Sequence, residues 1–131
     1  MVVVSTTRPD GSVHSTVVNA GVLDDPITGS PAVGMVLLGG VRKLDLLRRN
    51  QQATVTFRAG WHWASVDGPV RIIGPDDPHP GFDPADLPGL LRAIFISAGG
   101  THEDFAEFDR VMAAERRVAV FVAPNRILGH G

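Results

Sequence analysis

Residues 53–73 read ATVTFRAGWHWASVDGPVRII, and the fold turns on this stretch. Val55 and Phe57 alternate with polar neighbours and fall on one face of a strand. Residues 61–73 form a longer strand, interrupted at Gly68-Pro69, where a residue without an N–H implies a bulge or an edge. No helix separates the two runs. Parallel neighbours need a crossover of a dozen or more residues, so these strands belong to an antiparallel sheet.

Upstream, Val2-Val3-Val4 leads into Arg8-Pro9-Asp10-Gly11, and Asp-Gly supplies the positive φ angles of a tight turn. With a strand resuming over 13–19, residues 2–20 read as a hairpin. Residues 24–31 are rich in Asp, Pro, Gly and Ser and form a turn; 32–38 are a short apolar run, as in a buried strand. After Gly39-Gly40, Val41, Leu44 and Leu47 recur at helical spacing to Asn50, with Arg48 and Arg49 at the carbonyl end. Downstream, 75–88 form a proline- and aspartate-rich surface connection, and 87–97 a helix. Thr101-His102-Glu103-Asp104 resembles a capping box before a helix that presents Phe105, Phe108 and Met112 on one face. A last strand starts at Arg116 and sets Val118, Val120 and Val122 on one side. About six strands, a short helix and two late helices predict a mainly β chain: one six-stranded antiparallel barrel over residues 1–131, with appended helices.

The 131 residues suffice for one core, and the hydrophobic and charged fractions, 44% and 20%, are those of a globular domain. There is no cysteine, hence no disulfide, thiolate metal site or thiol nucleophile, which suits a reducing cytoplasm. A net charge of −2 gives no field for nucleic acid. No stretch is apolar and long enough for a membrane span, and the opening MVVVSTTRPDGS lacks a charged leader before its valines. The expectation is a cytoplasmic protein with neither nucleic-acid nor membrane partners.

Two places invite chemistry. In Gly39-Gly40-Val41-Arg42-Lys43 a strand ends, the backbone turns closely, and a helix opens with two cations, as in a phosphate site; a turn beside a solvated helix face has the same composition. In Trp61-His62-Trp63 alternation puts both indoles on one face, fit to line a flat aromatic ligand, a core or a subunit interface. The five histidines, His14, His62, His79, His102 and His130, include no i, i+4 pair, so no metal site is expected. Asp76, Asp77, Asp83 and Asp86 read as solvated loop charges. No nucleophile declares itself, so in an enzyme of this kind a cofactor carries the reactive chemistry.

Taken in order, Thr6-Thr7-Arg8-Pro9-Asp10-Gly11-Ser12, Val41-Arg42-Lys43-Leu44 with Leu47-Arg48-Arg49-Asn50, Phe105 to Met112, and Glu115-Arg116-Arg117-Val118 resemble the pyridoxamine-5′-phosphate-oxidase-like superfamily. Within it the chain looks most like the flavin/deazaflavin oxidoreductases that use coenzyme F-420. The resemblance implies a six-stranded split barrel of the FMN-binding type and a homodimer with cofactor sites at the subunit interface. Arg42 and Lys43 then match the phosphate-binding pair, Gly40 and Val41 the loop that reaches the phosphate, Thr16, Val17 and Asn19 the strand beside the ring, and Trp61 a tryptophan near the cofactor. Ser15 to Ala20 offer no basic residue, unlike the FMN oxidases, so the resemblance favours F-420 over FMN. It implies hydride transfer between reduced F-420 and a small or planar unsaturated acceptor; the alternatives are an FMN oxidoreductase and a non-catalytic flavin-binding protein. An apolar content this high over short strands also leaves surface for a second copy.

Overall fold

A computed structural model describes residues 1–130. The elements are β1 (Val2–Thr7), β2 (Val13–Val18), β3 (Ala20–Asp24), β4 (Pro31–Leu37), α1 (Arg42–Asn50), β5 (Gln52–Ala59), β6 (His62–Ile73), a 3-10 turn at Pro84–Asp86, α2 (Leu87–Ser97), α3 (Phe105–Ala114), β7 (Val118–Val122) and β8 (Arg126–His130). The strands run in the order β2-β1-β5-β6-β7-β4-β3, every pairing antiparallel, and β8 joins β6 outside that path.

The two ends of the strand order are consecutive in the chain, since β2 passes into β3 through Asn19. The sheet therefore curls into a split barrel whose outer strands are joined covalently at a corner. A second corner lies in β6. One edge of β6 pairs with β5 from Ala59↔His62 to Gln52↔Pro69. Its other edge pairs with β8 over Trp63 to Asp67 and with β7 over Val70 to Ile73. The change of partner falls at Gly68-Pro69, and Ala123 N–H donates to the carbonyl of Pro69 (3.0 Å). The bulge or edge expected at this proline is an interruption of one edge only: pairing with β5 runs through Gly68 and Pro69 one to one, and the barrel splits where the other edge changes partner.

Among the described residues there are eight strands rather than six. The strand expected over 13–19 does not end but bends and continues as β3, because Asn19 breaks the pairing while Val22 and Leu23 extend the β pattern. The short run 126–130, with Ile127 and Leu128, adds β8. Smaller corrections follow from local chemistry. The cap of α3 is Asp104, whose carboxylate accepts from Ala106 N and Glu107 N (3.0 and 3.2 Å), so Thr101 does not open the helix. Arg116 lies in a turn at φ 51°, and β7 begins at Val118. The aspartates of the 75–88 connection are not merely solvated. Asp77 takes a two-pronged hydrogen bond from Arg48 (2.9 and 2.7 Å), Asp76 pairs with Arg116 (2.6 Å), and Asp83 caps the 3-10 turn.

Two cores result. Val2, Val4, Met35, Leu37, Val55, Val118, Val120 and Val122 fill the barrel, plugged at one end by Leu44 and Leu47 of α1. On the outside, Leu91 and Ile94 of α2 and Phe108 of α3 cover Ala32, Ala119 and Phe121. β7 is thus buried on both faces, which explains its unbroken apolar run. Among the described residues no helix is long and apolar enough to cross a membrane.

The β6 corner needs glycine for space. A Cβ on Gly68 would stand 1.6 Å from the carbonyl oxygen of Ala123, and backbone cannot yield as a side chain can. Gly68→Ala is expected to cost about 3 kcal/mol, the upper range for overpacking. Urea denaturation checks this; a midpoint close to wild type would mean the β6–β7 crossing is looser than described.

Candidate functional site

The site begins at the end of β4. Gly39 cannot carry a side chain, since its Cβ would meet the Arg116 carbonyl oxygen at 2.6 Å, and Gly40 adopts φ 82°, open mainly to glycine. Val41, in extended conformation, then occupies the N-cap of α1 without offering a side-chain cap. These two glycines set the start of α1 against the turn that follows α3, where Gly39 N–H donates to the Glu115 carbonyl (3.3 Å).

A cleft of about 460 Å³ opens at this junction, within the ordinary range for a small-molecule site. The end of β2, the Asn19 corner and the end of β4 form one side; α2 and α3 form the other. Val17, Asn19, Val41 and Lys43 line it, so half of the residues expected at a cofactor site converge. Four do not. Thr16 stands one position short of the Val17–Asn19 stretch that lines the cleft, its Oγ1 buried without a partner; Gly40 makes the turn; Arg42 is exposed and does not line the cleft; Trp61 is 89% exposed in the β5–β6 turn, not within the strand. Arg42 and Lys43 separate because successive helical residues are rotated by about 100°, so Lys43 alone faces the cavity.

Residues not expected in the site also line it: Phe95, Phe108, Met112 and Arg117. The helical spacing that marked Phe108 and Met112 as a buried face does not say that one end of that face stays open. Arg117 stood in the segment 115–118 without an assigned role. The lining holds two cations and, among the described residues, no carboxylate, histidine or hydroxyl side chain. Lys43 is half-buried against apolar walls, and this desolvation lowers its pKa. An anion would restore what the ammonium lacks.

A larger cavity of about 540 Å³ lies at the opposite end of the sheet, between Thr7, Asn50, Thr54, Asp67 and Arg126. Its polar groups are largely spent on one another. Thr54 donates to Asp67, and Asn50 to Thr6 and Thr7. The smaller cleft, where the half-buried ammonium of Lys43 has no carboxylate partner, is the better ligand site.

No family model matches the chain, and no curated protein matches it in sequence. Its fold does recur in solved structures. A pyridoxamine 5′-phosphate oxidase-related, FMN-binding protein from Nostoc punctiforme superposes with TM-score 0.69 at 14% identity, covering 98% of this chain and 72% of that one. An F-420 reductase gives 0.64 at 14%, covering 97% and 87%. A heme-binding protein from Mycobacterium smegmatis gives 0.64 at 13%, covering 99% and 48%. The split-barrel fold is common to all three; what they are named for differs.

A half-buried ammonium without a carboxylate works against the unliganded fold. Lys43→Met should raise stability by about 0.5–1 kcal/mol, the usual yield of such surface and cavity optimisations, while removing affinity for anions. Thermal melts with and without FMN read both effects. A less stable Lys43→Met protein would show that the lysine is held by contacts rather than strained by burial.

Proposed function

We propose that the chain is an oxidoreductase that binds a phosphorylated deazaflavin, coenzyme F-420, in the cleft between the Asn19 corner and the late helices, with FMN as the alternative. The observation that carries this is the lining itself: apolar walls closing on Lys43, which has no carboxylate partner, and on Arg117, whose partner Glu115 lies outside the cavity. Such a cleft suits a flat, apolar ring system with a phosphate at one end. The residues fit that group in size and in charge. Val17 and Val18 of β2 and Asn19 at the corner, which line the cleft, are uncharged, which keeps F-420 ahead of FMN.

When bound, the cofactor supplies hydride transfer to or from a small or planar unsaturated acceptor. The chain's part is binding and placement. Lys43 holds the phosphate, Val17 and Val41 bound the ring, and Phe95, Phe108 and Met112 exclude water. No lining side chain among the described residues is a carboxylic acid, histidine or hydroxyl, and Lys43 is engaged with the phosphate, so a proton needed by the acceptor comes from solvent.

A homodimer completes this reading. Val17, Val3, Thr56, Ser65 and Leu128 stand opposite one another in register, on one face of β2-β1-β5-β6-β8. Val3, Val17, Trp63 and Leu128 on this face are all exposed. Val17 belongs both to this face and to the cleft wall, so a second copy seated here closes the cleft. Trp61 is absent from the cleft of its own chain, and its exposed position suits it to act on the partner's cofactor.

Titration of purified protein with F-420 and with FMN tests the assignment. Tight binding is expected, with F-420 preferred, and Lys43→Ala should lose about 1.5–3 kcal/mol, roughly ten- to a hundred-fold in Kd. Light scattering should give twice the 13.9 kDa chain mass. A wild type that binds neither cofactor overturns the function; a monomer that saturates with cofactor overturns the dimer.

A further inference from the structure

We propose that Arg117, not Arg42, is the second cation of the cleft, that it and Lys43 receive the anionic end of an amphiphilic ligand, and that Glu115 is the internal counter-ion with which that anion competes. This rests on the reading of the cleft as a cofactor site and names the residues that recognise the phosphate.

The backbone fixes Arg117 in place. Helix α3 ends with Arg116 N–H donating to the Ala113 carbonyl (3.1 Å) and Arg117 N–H to the Met112 carbonyl (2.9 Å), while Arg116 takes φ 51°. This is a Schellman ending, in which the residue after the left-handed position packs back on the last turn. It brings Arg117 beside Met112, and both line the cleft. The next residue, Val118, pairs with Leu37 at the end of β4. The chain then passes Gly39, packed against the Arg116 carbonyl, on its way to Lys43. The two cations therefore flank one tight backbone contact and face one cavity. An arginine in the left-handed region costs about 1 kcal/mol against glycine, and here that cost accompanies a turn that aims its neighbour.

Glu115 completes the arrangement. Arg117 directs Nε and Nη2 at the same oxygen, Oε1 of Glu115, each at 3.0 Å, and Nη1 takes no part in the pair. Glu115 does not itself line the cleft. A phosphate oxyanion entering between Lys43 and Arg117 meets a guanidinium already planar and oriented but half-neutralised. Removing the carboxylate charge should strengthen anion binding; removing the guanidinium should abolish the preference for an anionic ligand over its neutral counterpart.

The ligand pair that isolates the anion is FMN against riboflavin, which share the ring and differ in the phosphate. Arg117→Ala should weaken FMN by about tenfold or more, the worth of one charge-assisted hydrogen bond, and leave riboflavin within about twofold, with Arg117→Lys restoring part of the loss. Glu115→Gln should tighten FMN alone, and Arg42→Ala should change neither ligand. Equal losses for FMN and riboflavin in Arg117→Ala would make the residue merely structural, and an Arg42→Ala loss matching that of Arg117→Ala would return the role to the helix start; either overturns the proposal. If wild type takes up neither FMN nor F-420, the cofactor reading falls, and the aromatic sulfonate 1-anilinonaphthalene-8-sulfonate decides the rest. Fluorescence enhancement that requires Arg117 and Lys43 upholds the cation pair, whereas enhancement indifferent to Arg117, or none, overturns it.

Discussion

The backbone crossing of Gly68 under the carbonyl of Ala123 is the constraint on which the architecture depends. A β-strand has two edges, and most barrels satisfy each with one neighbour over its full length. Here one edge of β6 is shared between β8 and β7, and the handover occupies two residues, one without a Cβ and one without an N–H. Glycine permits the approach, and proline has no donor to leave unsatisfied where the ladder changes partner. The β8 side stays an open ribbon; the β7 side turns inward and becomes the strand buried on both faces.

The cleft follows from the second corner. Bending at Asn19 carries the chain from one edge of the curled sheet to the other, so β3 lies under α2. The closeness is measurable: a Cβ on Gly21 would lie 2.4 Å from the backbone of Ser97 at the end of α2. With α2 and α3 held there by Ile94, Phe108 and Phe121, their ends cannot also cover the tip of β4 and the start of α1. The space left over is walled by core-type residues and entered by whichever polar side chains the adjoining turns supply. Those are Asn19, Lys43 and Arg117, of which the last two are charged.

Much of this was legible in the chain itself. The alternation of Val55 and Phe57, the Asp10-Gly11 turn, the helical spacing of Val41, Leu44 and Leu47, and the break at Gly68-Pro69 each carry a local physical signal, and each reappears as an element or a corner. Local signals do not report continuation. Nothing in 13–24 separates a strand that ends at Asn19 from one that bends there, and residues 126–130 are too short to announce a strand without β6 beside them. The site was half legible for the same reason. The strand-end and helix-start residues could be placed by their order in the chain, but Arg117 enters the cleft only because a helix ending aims it there. The position of Trp61, one residue outside the strand, takes it from a face to a turn tip.

Folds of this shape belong to an FMN-binding protein, an F-420 reductase and a heme-binding protein, so the barrel does not choose the chemistry. The choice rests with the few groups that break the apolar monotony of the cleft. A lysine facing such walls is poorly solvated in the empty state, and every contact it makes with a ligand anion is set against that deficit rather than against full hydration. The deficit is small for a half-buried side chain, but it has a direction: it favours anionic ligands over neutral ones of the same shape. Arg117 adds to this with an orientation already fixed by its turn, and Glu115 subtracts from it by occupying two of the guanidinium's donors. On the proposed reading, selectivity for a phosphorylated ring is a balance among three side chains, one at the start of α1 and two at the turn after α3. The start of α1 and the turn after α3 meet at Gly39, next to the β4 that the buried strand β7 holds in register, so these charges are mounted on the buried strand pair of the barrel.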